Sequence, residues 1–105
     1  MKLSQSGDQA PKKYPKEEAR KIFQKALEGG GWVSRKHARI RQIERGIDNN
    51  DILNLSKTGV ILNEPELDIK TNQMKYTIES LDHKLKIVFN VLDDCRVRLI
   101  TVMND

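Results

Sequence analysis

The apolar residues of this chain repeat with one period before Gly59 and with another after it. Ala19, Ile22, Phe23, Ala26 and Leu27 recur at i, i+3, i+4, i+7 and i+8, the stripe of an amphipathic helix. Leu85, Ile87, Phe89 and Val91 alternate with Lys84, Lys86 and Asn90, the two-residue period of a half-buried strand. A helix and a strand bury their apolar faces in different ways, so the order of the two patterns fixes the class. Helices come first and strands last. The expected architecture is α+β, with N-terminal helices packed on one face of a three- or four-stranded antiparallel sheet.

Local signals divide the chain further. A first helix is expected from about Pro15 to Glu28, with proline at its start and Glu17 and Glu18 at its positive end. Gly29-Gly30-Gly31 is a joint, and Trp32-Val33 returns the chain to the core. A second helix starts at Ser34, whose hydroxyl suits an N-cap, and stops at Gly46, which tolerates the left-handed conformation. Ile40, Ile43 and Ile47 form its expected apolar stripe, with Val33 leading into it. Asp48 caps a third helix that has Asp51 in its first turn, with Ile47 and Ile52 as a hydrophobic staple and Gly59 at its end.

Strands are expected over Val60–Asn63, Met74–Leu81, Leu85–Leu92 and Val97–Met103. Asp82-His83 and Asp93-Asp94-Cys95 are short enough to be hairpin turns, and Glu64–Asn72 reads as a loop. Residues 1–13 read as a disordered tail, and residues 14–105 as a single domain.

Charge is divided unevenly along the chain. Residues 12–45 carry eleven Lys/Arg against four Asp/Glu, whereas residues 46–105 carry seven against ten. The basic charge therefore belongs to the first two helices, which favours a polyanionic partner. The single cysteine, Cys95, excludes an internal disulfide and a cysteine-based zinc site. With no apolar signal-peptide core and no long apolar run, the expected setting is the cytoplasm, without a membrane. Delivery into a target cell's cytoplasm as part of a larger toxin fits equally.

His37, Arg41 and Arg45 follow one another at i, i+4 and i+8 and so line up along the second helix. An imidazole that exchanges protons, beside guanidinium forks that match phosphate oxygens, is equipment for handling a phosphodiester. Arg39 lies on the other side of that helix, facing solvent. Ser34 and Arg98 are further candidate substrate contacts. Thr101 gains interest if the sheet sets it across from His37. Two histidines without carboxylates at ligand spacing make no metal site, and no cofactor is expected. A helix-turn-helix reading fails on the acidic opening, Asn49-Asn50-Asp51, of its recognition helix.

The string S-x-x-H-A-x-x-R-x-x-x-R-G-I is carried by Ser34, His37, Ala38, Arg41, Arg45, Gly46 and Ile47. With Thr101 in a final Ile-Thr-Val strand, it resembles an uncharacterised bacterial family. That family is grouped with ribonuclease toxins of the barnase, EndoU, colicin and RelE type, and the likeness covers residues 32–103. It implies a RelE/barnase-like fold and metal-independent endoribonuclease chemistry, with His37, Arg41 and Thr101 catalytic and Arg45 and Ser34 on the substrate. Arg98, on the strand face opposite Val97 and Leu99, is added to the substrate contacts from its position alone. It also implies RNA as substrate and a neutralising antitoxin or immunity protein as partner. The chain departs from ribosome-dependent members in lacking their cluster of Lys and Arg within the sheet. The alternative, from another class, is a non-catalytic RNA- or protein-binding domain that uses the basic helix face.

Overall fold

The computed structural model describes residues 11–92 and 94–104. In chain order the elements are α1 (Lys16–Gly29), β1 (Trp32–Ser34), α2 (Lys36–Glu44), α3 (Asn49–Thr58), β2 (Glu66–Asp68), β3 (Gln73–Glu79), β4 (Leu85–Val91) and β5 (Val97–Asn104). Residues 1–10 of the expected tail, and Asp93 of the expected turn, lie outside the described residues.

The fold is α+β, with three helices packed on one side of a sheet. That sheet has five strands in the order β1-β5-β4-β3-β2, rather than three or four, and it is mixed. β3, β4 and β5 form the expected antiparallel meander, while β1 runs parallel to β5 with Trp32 opposite Val97 and Ser34 opposite Leu99. The glycine joint makes this extra pairing possible. Gly30 adopts φ 77°, and Gly31 O accepts from Val97 N at 3.0 Å, so the chain leaves α1 and turns straight onto the edge of β5. β2 lies inside the segment read as a loop, because three residues reading Glu-Leu-Asp show no alternation to recognise. The strand expected over Val60–Asn63 shrinks to one bridge, Val60 with Glu79.

α1 buries Ala19, Phe23, Ala26 and Leu27 of the stripe read from its spacing, and Ile22 is half-buried against the same core. The Phe23 ring lies 4.5 Å from that of Phe89, centroid to centroid, and Tyr76 stacks on Phe89 from β3. α3 opens with a full capping box: Asp51 N donates to Asp48 Oδ1 at 2.8 Å, and Asp48 N donates to Asp51 Oδ2 at 3.0 Å. The staple residues Ile47 and Ile52 are both buried.

The register sends alternate residues of the three long strands away from the helices. Thr77, Val88 and Thr101 share one rung of that open face, and Asn90 and Arg98 stand opposite each other further along it. Most of these side chains stay half-buried, but Asn90 is fully buried, its Nδ2 donating to Gln73 Oε1 at 3.0 Å.

Candidate functional site

α2 is fastened to β5 at both ends. Arg35 N donates to Leu99 O at 2.9 Å, which starts the helix where β1 stops. At the far end, Arg45 Nη1 donates to Asn104 O at 2.9 Å and to Asn104 Oδ1 at 3.2 Å. Ala38 lies between these ties and is 1% exposed, its small side chain allowing the helix to approach the strand closely.

This seating corrects two expectations about α2 and gives Arg45 a partner. Ser34 is not its N-cap: it ends β1, the cap position is Arg35 without a side-chain hydrogen bond, and Ser34 Oγ is buried without a partner. The stripe is not buried as a unit either. Ile47 is buried, but Ile40 is 41% and Ile43 72% exposed, because Ala38 turns to the sheet and rotates them outward. Arg45, expected on phosphate, is held by Asn104. Gly46 does terminate the helix as expected, with φ 67° and Ile47 N donating back to Gln42 O at 2.9 Å.

At 100° per residue, Ala38 and Arg45 point the same way, and the other polar residues divide to either side of them. Gln42 lies on one flank and donates to Asn49 Oδ1 at the start of α3, at 3.0 Å. Arg39, Gln42 and Ile43 line a groove of about 460 Å³ there, with Trp32, Val33, Ser34 and Asn49. His37 and Arg41 lie on the other flank, both exposed, as the i, i+4 spacing requires. Among the described residues, Arg35, Lys36, Arg39 and Arg41 form no ion pair, and none joins Arg41 to Glu44 three positions on.

β5 supplies the remaining candidates. Thr101 and Arg98 stand on the open sheet face, half-buried, opposite Val88 and Asn90. A bulge decides this for Thr101: Leu99 pairs with Phe89 and Thr101 with Val88, so Ile100 is the extra residue. α2 packs on β5, but Thr101 stands on the sheet face turned away from the helices, so the structure does not set it across from His37. No hydrogen bond joins His37, Arg41 and Thr101 among the described residues, and the grooves beside Arg45 and beside Trp32 are lined by other residues. Arg96 is tied to the turn: its backbone N donates to Asp94 Oδ1 at 3.1 Å and its Nε to Asp94 Oδ2 at 2.7 Å, and these two bonds hold the Asp94 carboxyl below its ordinary range.

One pair escaped the sequence reading. His83, in the expected Asp82-His83 hairpin turn, has its Nδ1 at 2.5 Å from Glu79 Oε1. The pairing spans a tight turn rather than a helix, so four-residue spacing alone does not announce it. No group of three metal-ligating side chains occurs among the described residues. No described helix is long and apolar enough to cross a membrane.

Comparison with curated proteins and with solved structures gives no match. Residues 35–104, from the start of α2 through β5, match the family described as Domain of unknown function (DUF4258). This match takes in α2, the meander and Thr101 but not Ser34, and by it the chain belongs to the DUF4258 family.

Proposed function

We propose that this chain is a metal-independent endoribonuclease of the toxin type, cutting RNA through a 2′,3′-cyclic phosphate. The observation that carries the reading is the uncompensated charge of α2. Its cations have no carboxylate partners among the described residues, and an unpartnered imidazole stands among them on an exposed flank. In this reading His37 transfers a proton, Arg41 stabilises charge on the phosphorane, and Thr101 with Arg98 meets the substrate from the open sheet face. Ser34, whose hydroxyl is buried beside the groove on the other flank, is the weakest of the substrate contacts. A cytoplasmic site of action follows from the substrate, and an antitoxin or immunity protein would protect the cell that makes the chain.

A second reading is a domain that binds RNA without cutting it. It is favoured by the lack of any hydrogen bond that organises His37 with Arg41 or Thr101.

Cleavage of single-stranded RNA by the purified chain separates the two. The nuclease reading expects products ending in cyclic or 3′ phosphate, activity that survives EDTA, and a loss of ~10²–10⁴ in His37→Ala, the usual worth of a positioned proton-transfer group. Because His37 is exposed, that variant should unfold with the wild type. A chain that retains RNA without cutting it fits only the binding domain.

A further inference from the structure

We propose that His83, oriented by Glu79, is a second proton-transferring imidazole of this chain, and that Lys86 is the cation holding the phosphate beside it. This rests on the endoribonuclease reading and assigns groups that carry the reaction out.

The hairpin between β3 and β4 closes with His83 N donating to Ser80 O at 2.9 Å and with His83 at φ 63°. That region of backbone space favours glycine, so the turn by itself does not call for histidine. The imidazole is engaged. A carboxylate oxygen accepts, so in the neutral ring the contact with Glu79 Oε1 selects the tautomer with the proton on Nδ1 and the lone pair on Nε2. An acceptor Nε2 is what a general base requires.

Burial divides the roles between the two residues. The Glu79 side chain is 11% exposed and that of His83 is 63% exposed. In the other described ion pairs the carboxylate is more than half exposed, at Glu64, Glu17 and Asp94. Only Glu79 is sunk into the fold with its partner turned outward. A fixed carboxylate behind a solvent-facing imidazole holds ring and tautomer in place, as in hydrolytic triads.

Lys86 stands directly opposite Glu79 in the β3–β4 register, yet the two form no ion pair among the described residues. Its ammonium is therefore available to an anion next to the imidazole. By alternation this rung faces the same way as Thr77, Val88 and Thr101, one step of about 7 Å along the open face. An RNA strand on that face would meet the Glu79–His83 pair, Lys86 and then two hydroxyls.

The step balances without a metal. His83 Nε2 takes the 2′-hydroxyl proton as O2′ bonds to phosphorus. The P–O5′ bond breaks, the 5′ oxygen takes a proton from water, and the imidazolium returns its proton to the resulting hydroxide. The products are a cyclic phosphate and a 5′ hydroxyl.

His83→Gly is the informative variant, because glycine adopts φ 63° at no steric cost and the hairpin is kept. Wild type, His83→Gly, Glu79→Gln, Lys86→Ala and His37→Ala are compared on one single-stranded RNA. The assignment expects His83→Gly to cut ~10²–10⁴ slower, with added imidazole restoring part of the rate. It expects Glu79→Gln to lower kcat with KM unchanged, and Lys86→Ala to act mainly on KM. Full activity in His83→Gly beside loss in His37→Ala overturns it and leaves the endoribonuclease reading standing. Loss in His83→Gly that imidazole does not restore marks a structural role and also overturns it. A wild-type chain that cuts no RNA overturns both.

Discussion

Arg45 crosses from the end of α2 to the end of β5, its Nη1 donating to Asn104 O at 2.9 Å and to Asn104 Oδ1 at 3.2 Å. Arg41, one turn earlier, has no such tie among the described residues. Two arginines that look equivalent in the motif are therefore expected to act differently. Arg45→Ala should lower stability by about 0.5–1.5 kcal/mol in urea denaturation, the net worth of such bonds, and leave the salt dependence of RNA binding in place. Arg41→Ala should do the reverse, flattening the log–log salt slope by about 0.7, the single-strand value per phosphate. A flattened slope in Arg45→Ala would mean that Arg45 leaves Asn104 to meet the RNA.

The seating of α2 gives a contrast inside one expected stripe. Ile47 is 7% exposed and packs in the core, whereas Ile43 is 72% exposed. Ile47→Ala should cost about 2–5 kcal/mol, as core isoleucine truncations do. Ile43→Ala should stay within about 0.5 kcal/mol of wild type. Comparable losses in the two would mean that the helix sits on the sheet with its isoleucines inward.

Rigid periodicity explains what was legible in the sequence. α1 and β4 have spacings that only one conformation satisfies, and the pattern names Ala19, Phe23, Ala26, Leu27, Ile87 and Phe89, all buried, though it sets Asn90 on the polar side of β4, where it is buried as well. The common flank of His37 and Arg41 was legible for the same reason. β1 and β2, at three residues each, are too short to show a period, and β1 depends on a partner near the far end of the chain. α2 misled because Ile40, Ile43 and Ile47 outweigh one alanine in hydrophobicity. Two backbone and side-chain ties to β5 decide the rotation instead. Thr101 shows the limit most clearly: plain alternation from Val97 would send it to the core with Leu99. The extra residue at Ile100 turns Thr101 outward and Val102 inward, where Val102 is 1% exposed. The Glu79–His83 contact depends on a left-handed residue in a turn, a choice of backbone that composition does not announce.

Gly59 joins α3 to the bridge with β3, and its φ of −77° is open to any residue. Space is what demands glycine. A Cβ there would lie 2.6 Å from Leu55 O, 2.8 Å from Leu55 Cδ1 and 3.0 Å from Glu79 O. Two of these atoms are backbone and cannot swing aside. Gly59→Ala should therefore destabilise by about 1–3 kcal/mol, the range for overpacking, as read by denaturant midpoint. Because the displaced strand carries Glu79, RNA cleavage should fall with stability. An alanine variant as stable as wild type would show that α3 slides away from β3 freely.

Tyr76 predicts how the fold responds to alkali. Its ring is 1% exposed, and its hydroxyl oxygen accepts from Tyr14 N at 2.8 Å. Burial holds the phenol above its ordinary value, outweighing the Tyr14 N–H, which favours the phenolate; nearby Tyr14 and Glu18 push the same way as burial. A raised value means that the folded chain keeps this proton after the unfolded chain has begun to release it, from about pH 10. Tyr76 therefore leaves stability unaffected below that pH and lowers it as pH rises through the folded value. Tyr76→Phe should lose about 0.5–1.5 kcal/mol at neutral pH, having left the Tyr14 N–H without its acceptor. Its stability should then fall less steeply than that of wild type above pH 10. Urea midpoints for both proteins at pH 8, 10 and 11 measure this, with lysine deprotonation common to the two. Parallel curves would show that Tyr76 ionises in the fold as readily as in the open chain.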